Sequence, residues 1–310
     1  MRVLVTGGAG FIGSHLVDGL VERGEEVVVI DDLATGLARN VPAAARFVEA
    51  DVGDEVALAK AVDGCEVVFH QAALGSVTRS VAQPRVSDRA NVAGTVAVLD
   101  AAQRAGVRRV VLASSSSVYG GATEVPTPES APLLPRSPYA VTKLAGEHYA
   151  RVFWELHGLE TVCLRYFNVF GPRQRPDTQY AAVVPLFVDA LLAGEAPVVH
   201  GDGAQSRDFT FVADTVRANL LAAEAPAAAC AGRVFNIARG RPVSVLDLLG
   251  ALAGAQGQAV TPRHAPARAG DVRHSHADIS AAREALGYEP SVSLEEGLAR
   301  TLAWFGARRG

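Results

Sequence analysis

Short apolar runs alternate along this chain with stretches whose apolar positions recur every three or four residues. The runs at 2–5, 26–30, 47–52, 67–70, 109–113, 161–165 and 235–237 read as strands, with a shorter strand and turn at 198–203. Helical spacing covers 11–23, 54–62, a stretch containing Asn91 and reaching Arg104, 139–157, 181–192, 214–224, 245–253 and 294–306. Strand and helix alternate, so the pattern predicts an α/β fold with a doubly wound parallel sheet. The polar, Pro-bearing stretch from Arg173 to Asp177 marks a first departure from that alternation. Neither an internal repeat nor a linker long enough to separate independent domains is visible.

The best-defined chemistry lies where the first strand meets the first helix. Gly7, Gly10 and Gly13 sit between them, where glycines let the backbone turn tightly and let a pyrophosphate approach the helix N-terminus. The second strand ends in Asp31-Asp32, and a carboxylate at that point accepts hydrogen bonds from adenosine ribose hydroxyls and repels a 2′-phosphate. That arrangement selects NAD over NADP. Asp51-Val52 and Gln71-Ala72-Ala73 fall at further strand C-terminal ends, where such sheets bind ligands. Ser114 to Ser117 form a polar cluster at the same edge. Tyr139 and Lys143 are four apart in a helix-compatible run, which puts both on one helix face. A phenol is a poor base at neutral pH unless a nearby cation favours the phenolate, and Lys143 can supply that charge. Lysine occurs only at positions 60 and 143, so its retention here suggests a need for a primary ammonium.

With 310 residues the chain can bury a large core, and at a net charge of −4 it shows no basic patch for nucleic acid or an anionic membrane. The chain opens Met-Arg directly into a strand, with no long apolar run anywhere. No signal peptide or transmembrane helix is therefore expected, and a cytoplasmic location is. Cys65, Cys163 and Cys230 are far apart in apolar contexts that suit reduced core thiols. No metal site is expected: His274 and His276 are two apart, but no third ligand of matching spacing accompanies them.

Five motifs in order give the chain a resemblance: residues 6–15 (TGGAGFIGSH), 114–120 (SSSSVYG), Tyr139-x-x-x-Lys143, 165–168 (RYFN) and 201–209 (GDGxQSRDF). Over nearly its whole length it resembles the extended short-chain dehydrogenase/reductases, specifically the NAD-dependent nucleoside-diphosphate-sugar 4-epimerases. The resemblance implies a Rossmann-like sheet with a smaller α/β substrate-binding domain: residues 1–165, joined again by 208–240, for NAD, and 166–207 with 241–310 for the nucleotide sugar. It implies Ser115, Tyr139 and Lys143 as the catalytic set. Cofactor contacts are expected from Gly7, Gly10, Phe11, Ile12, Gly13, Asp31, Asp51, Val52, Gln71, Ala72, Ala73, Asn91, Tyr139 and Lys143. Substrate contacts are expected from Ser76, Ser115, Ser116, Asn168, Val183, His200, Arg207, Arg268, Asp271 and Ser275. A homodimer joined through helices near 91–104 and 139–157 is also implied, with alanines 93, 97, 101, 102, 140, 145 and 150 permitting close approach.

The resemblance further separates epimerase from 4,6-dehydratase, since dehydratases carry an acid just after the catalytic Ser/Thr and this chain has Ser116 and Ser117 there. A hydroxyl cannot serve as that acid. The expected substrates are UDP-Glc and UDP-Gal together with UDP-GlcNAc and UDP-GalNAc. Relatives restricted to non-acetylated sugars carry a bulky Tyr where this chain has Ser275, and Gly75-Ser76-Val77-x-Arg79-Ser80 and Gln174 resemble the acetyl-hexosamine subgroup. The alternatives are a UDP-glucuronate 4-epimerase, a nucleotide-sugar dehydratase and a non-catalytic NAD-binding sensor.

Overall fold

The computed structural model describes residues 1–121, 124–175, 182–267 and 272–308. Six strands, β1 (Arg2–Thr6), β2 (Glu26–Asp31), β3 (Arg46–Glu49), β4 (Val67–His70), β5 (Arg109–Ser115) and β6 (Glu160–Tyr166), join Arg233–Ile237 in one sheet. All its pairings are parallel, in the order β3, β2, β1, β4, β5, β6 and Arg233–Ile237. The chain winds outward from β1 to one edge, returns to β4 beside β1 and winds outward to the other. That reversal leaves a crevice at the C-terminal ends of β1 and β4.

Successive residues of a strand face opposite sides, and here both sides are core. Val3, Val5, Val29 and Phe69 pack into the cluster on one face, and Leu4, Val28, Val68 and Leu112 into the cluster on the other. Each such side chain, fully withdrawn from water, contributes about 1.5–3 kcal/mol. Three free cysteines, Cys65, Cys163 and Cys230, are buried in these layers, as their apolar contexts suggested.

The covering helices include α1 (Phe11–Glu22), α2 (Glu55–Val62), α3 (Val77–Ala82), α4 (Pro84–Asp88), α5 (Gly94–Arg104) and α6 (Pro138–His157). α4 and α5 are joined by a π turn at Arg89–Ala93, so Asn91 lies within a helical rod that begins at Pro84 and reaches Arg104, as expected. α6 starts where the Ser137 hydroxyl accepts a hydrogen bond from Ala140 N–H at 3.1 Å with Pro138 in the first turn, and it stops at Gly158 in a left-handed conformation. β3 is shorter than the 47–52 run, because Asp51 accepts Gly53 N–H at 2.8 Å in a turn and Asp54 caps α2.

A third apolar cluster, containing Phe170, Phe187, Phe209, Leu248 and Leu298, lies outside the sheet layers. The helices Val183–Ala193, Val245–Ala255 and Leu294–Gly306 contribute to it. Three two-stranded ribbons, 169–170 with 210–211, 206–207 with 243–244 and 198–200 with 263–265, complete this part. The strand at 198–200 was expected from the sequence; the two-residue strands are too short for periodicity to register. Among the described residues, no helix is long and apolar enough to cross a membrane.

Candidate active site

One cleft of about 1030 Å³ opens along the C-terminal ends of the strands, with walls drawn from the sheet and from the third cluster's segments. At one end the chain leaves β1 through Gly7, whose φ of +69° is left-handed. A Cβ there would stand 2.6 Å from Ala72 N, and one on Gly13 would stand 2.1 Å from Gly7 O. Both positions require glycine on space alone. α1 begins at Gly10 with no side-chain cap and no acidic residue in its first turn, so its leading N–H groups remain available to an anion. Asp31 closes this end: its carboxylate accepts Ala9 N–H at 2.9 Å and Leu33 N–H at 2.8 Å, while burial raises its pKa. A glycine cradle, an open helix N-terminus and a carboxylate at the end of β2 together fit a dinucleotide.

The middle of the cleft holds the expected catalytic side chains. Ser115 ends β5 and accepts Ser117 N–H at 3.2 Å, which orients its hydroxyl toward Tyr139. Burial raises the Tyr139 phenol and the Ser115 hydrogen bond lowers it. Lys143 donates to Ala113 O at 2.8 Å, and burial brings it down to about 8. Inside the protein the Ser115 hydrogen bond opposes the effect of burial on Tyr139. Ser80, the last residue of the Gly75–Ser80 feature, accepts Tyr139 N–H at 3.0 Å and ties α3 to the start of α6.

Of the remaining expected contacts, Phe11, Ile12, Asp51, Val52, Gln71, Ala72, Ala73, Ser76, Ser116, Asn168, Arg207 and Ser275 line the same cleft. Asn168 is held at a positive φ of 39° and donates to Asp208 O at 3.2 Å. Asn91 stands behind the wall: its amide accepts Leu74 N–H at 2.8 Å and donates to the Thr142 hydroxyl at 3.0 Å. Its place is to hold the Leu74 loop against α6. Val183 begins a helix one residue past the wall residue Ala182, and the His200 ring bonds Pro266 O; among the described residues neither is on the cleft wall. Arg268 and Asp271 lie outside the described residues. His274 bonds the Ser206 hydroxyl while His276 bonds Gly240 O, so the two rings have separate partners.

Sequence reasoning missed Tyr166, Arg173 and Arg136 on the wall. The Tyr166 hydroxyl accepts from Gln71 Nε2 at 3.1 Å and from Asn219 Nδ2 at 2.8 Å, and Gln71 Nε2 also donates to Asn219 Oδ1 at 3.0 Å, closing a triangle. Gln71 and Asn219 are 148 positions apart, so no local pattern could announce the triangle.

The sequence profile of the NAD dependent epimerase/dehydratase family matches residues 3–238. A UDP-glucose 4-epimerase from Mycolicibacterium smegmatis is 45% identical over 312 residues, covering 98% of each chain. The crystal structure of UDP-glucose 4-epimerase from Thermotoga maritima with UDP-glucose superposes with a TM-score of 0.96 at 41% identity, covering 100% of both chains. A UDP-N-acetylglucosamine 4-epimerase from Methanobrevibacter ruminantium, in complex with UDP-N-acetylmuramic acid, gives 0.94 at 38% identity over 99% of this chain and 98% of that one. Similarity of this extent and level makes this chain a member of the NAD-dependent epimerase/dehydratase family of enzymes, with NAD as its cofactor.

Proposed function

We propose that the protein is a 4-epimerase of UDP-hexoses, acting on UDP-Glc/UDP-Gal and on UDP-GlcNAc/UDP-GalNAc through a transient 4-keto sugar. The observation that carries this reading is the placement of Ser115, Tyr139 and Lys143 midway along one cleft, between the glycine cradle and a polar wall of Asn168, Arg207 and Ser275. In this reading residues 1–165 and 208–240 hold the cofactor, and 166–207 with 241–310 hold the nucleotide sugar. Gly7, Gly10, Gly13 and the α1 N-terminus would receive the cofactor's pyrophosphate, and Asp31 its adenosine ribose. NAD supplies a hydride acceptor that can also return the hydride.

Tyr139 takes the proton from the sugar C4 hydroxyl, with Ser115 bonded to the same oxygen system, and gives it back after the keto sugar has turned over. Lys143 contributes a positive charge that favours the phenolate. Arg207 and Asn168 anchor the diphosphate, and the sugar itself must be held loosely enough to present both faces. Ser116 and Ser117 supply no acid for eliminating water, which favours epimerase over dehydratase.

The test is incubation with each UDP-hexose, followed by NMR of the products. Interconversion at C4 is expected, and accumulation of a 4-keto-6-deoxy sugar refutes the assignment. Tyr139→Phe is expected to retain NAD and lose about 10²–10⁴-fold in kcat, the range for a general acid–base group.

The N-acetyl group is assigned to the space beside Ser275, a small side chain on the cleft wall. Ser275→Tyr should cut kcat/KM for UDP-GalNAc at least tenfold while sparing UDP-Gal. Equal turnover of UDP-GalNAc by this variant and the unchanged protein would remove the volume argument.

The working unit is proposed to be a homodimer. Val141, Tyr149, Val152 and Leu156 are exposed on one face of α6, and Val81 and Val86 on the neighbouring α3 and α4 are exposed too. Ala93 is also exposed, and Ala97, Ala101 and Ala145 are half-buried; Ala102, Ala140 and Ala150 pack inside their own subunit.

A further inference from the structure

We propose that Glu147 is a positioning residue whose carboxylate keeps the half-buried Lys143 ammonium charged, and that Arg165 fixes that carboxylate in place. The idea deepens the reading of Tyr139 and Lys143 as the working pair, but its test needs neither substrate nor turnover.

Glu147 lies one turn beyond Lys143 on α6, and the two side chains border a small cavity of about 10 Å³ behind the cleft. A buried ammonium needs a nearby anion, or it gives up its proton. Lys143 bonds the neutral carbonyl of Ala113, so the anion must come from what surrounds it. α6 presents Tyr139 and Glu147; β4 presents His70, kept neutral by burial at a pKa of about 3; β6 presents Cys163 and Arg165. Burial is the largest influence on Lys143 and lowers it, while Cys163 and Glu147 act upward. Burial also pushes the Cys163 thiol far above its ordinary range, so that thiol stays protonated. Glu147 is the one carboxylate in this set.

Three donors hold Glu147 still. The Ser114 hydroxyl donates at 2.5 Å, and Arg165 donates through Nε at 2.9 Å and Nη2 at 2.7 Å. Both members of the ion pair are buried, at 3% and 5% side-chain exposure. Arg165 is itself held, donating from Nη1 to the Tyr119 hydroxyl at 2.8 Å and to Glu129 O at 3.2 Å. Ser114 directly precedes Ser115, so one carboxylate links the strand carrying the catalytic serine to the helix carrying Tyr139 and Lys143. Two cations around one anion leave this array with a single positive charge, which loss of the Tyr139 proton neutralises.

Lys60→Arg leaves Lys143 as the only lysine. Because Lys143 lines the cleft, small reagents can reach it, and reductive methylation with ¹³C-formaldehyde of the protein as purified gives one dimethyl-lysine signal to follow by NMR against pH. Adding Glu147→Gln is expected to move that titration at least one pH unit lower. Loosened packing without a charge effect would admit water and move it upward, toward ordinary lysine, so an unchanged or raised titration overturns the proposal. Should Glu147→Gln fail to fold, Glu147→Asp decides, since it keeps the charge one methylene farther off. A smaller downward displacement then supports the proposal, and none or an upward one overturns it.

Discussion

His70 shows how much a single buried side chain can fix. It ends β4 with Nδ1 2.8 Å from the Thr6 hydroxyl and Nε2 2.9 Å from the Thr95 hydroxyl, tying β4 to β1 and α5. Neither partner is charged, and burial lowers its pKa to about 3. In the unfolded chain it titrates near the ordinary value of about 6.5, so between these values only the unfolded state takes up the proton. Its contribution to stability is therefore complete above pH 6.5 and is lost as pH falls toward 3. By pH 5 the loss is about 2 kcal/mol. Urea titrations at pH 7.5 and pH 5 should show His70→Gln to be less stable than the unchanged protein at pH 7.5 but to lose less on acidification. A parallel loss in both proteins would show that His70 does not titrate in this way. Nothing in the run Val67–His70 distinguishes this histidine from a cofactor contact or a metal ligand, because its threonine partners are 64 and 25 positions away.

At the level of elements, the parts that could be read locally are those whose chemistry is local. The β1–α1 turn announces itself because its constraint is steric and acts between close neighbours: Gly13 must admit Gly7 O six residues before it. α6 is equally plain, with Ser137, Pro138 and Gly158 marking its ends. The α4–α5 rod was only half visible. Its π turn places Asn91 where one amide serves both the Leu74 loop and Thr142, and that purpose lies outside the helix's own sequence. Lys143 and Tyr139 share a helix face as their spacing requires. Spacing could not state that Ser115 bonds Tyr139, or that Lys143 and Glu147 border a small cavity shared with His70 and Cys163.

The whole molecule carries one further expectation, the proposed dimer. Leu156 is 74% exposed at the end of the apolar face of α6, so Val152→Glu with Leu156→Glu should weaken a dimer built on that face. Sedimentation at micromolar concentration should show the unchanged protein as a dimer and this variant displaced toward monomer; a monomer in both refutes the interface. The sequence by itself determined the alternation of strand and helix, the dinucleotide turn, the carboxylate at the end of β2 and the Tyr139–Lys143 helix, since each is written in contacts or periods only a few residues long. Only the tertiary structure decided that Val183, His200 and Asn91 stand off the cleft while Tyr166 and Arg173 line it, and that Glu147, Ser114 and Arg165 form one buried array. The physical reason is distance along the chain: those choices depend on strands and loops from remote positions meeting at one sheet edge, where burial and hydrogen-bond partners are set by packing rather than by local sequence.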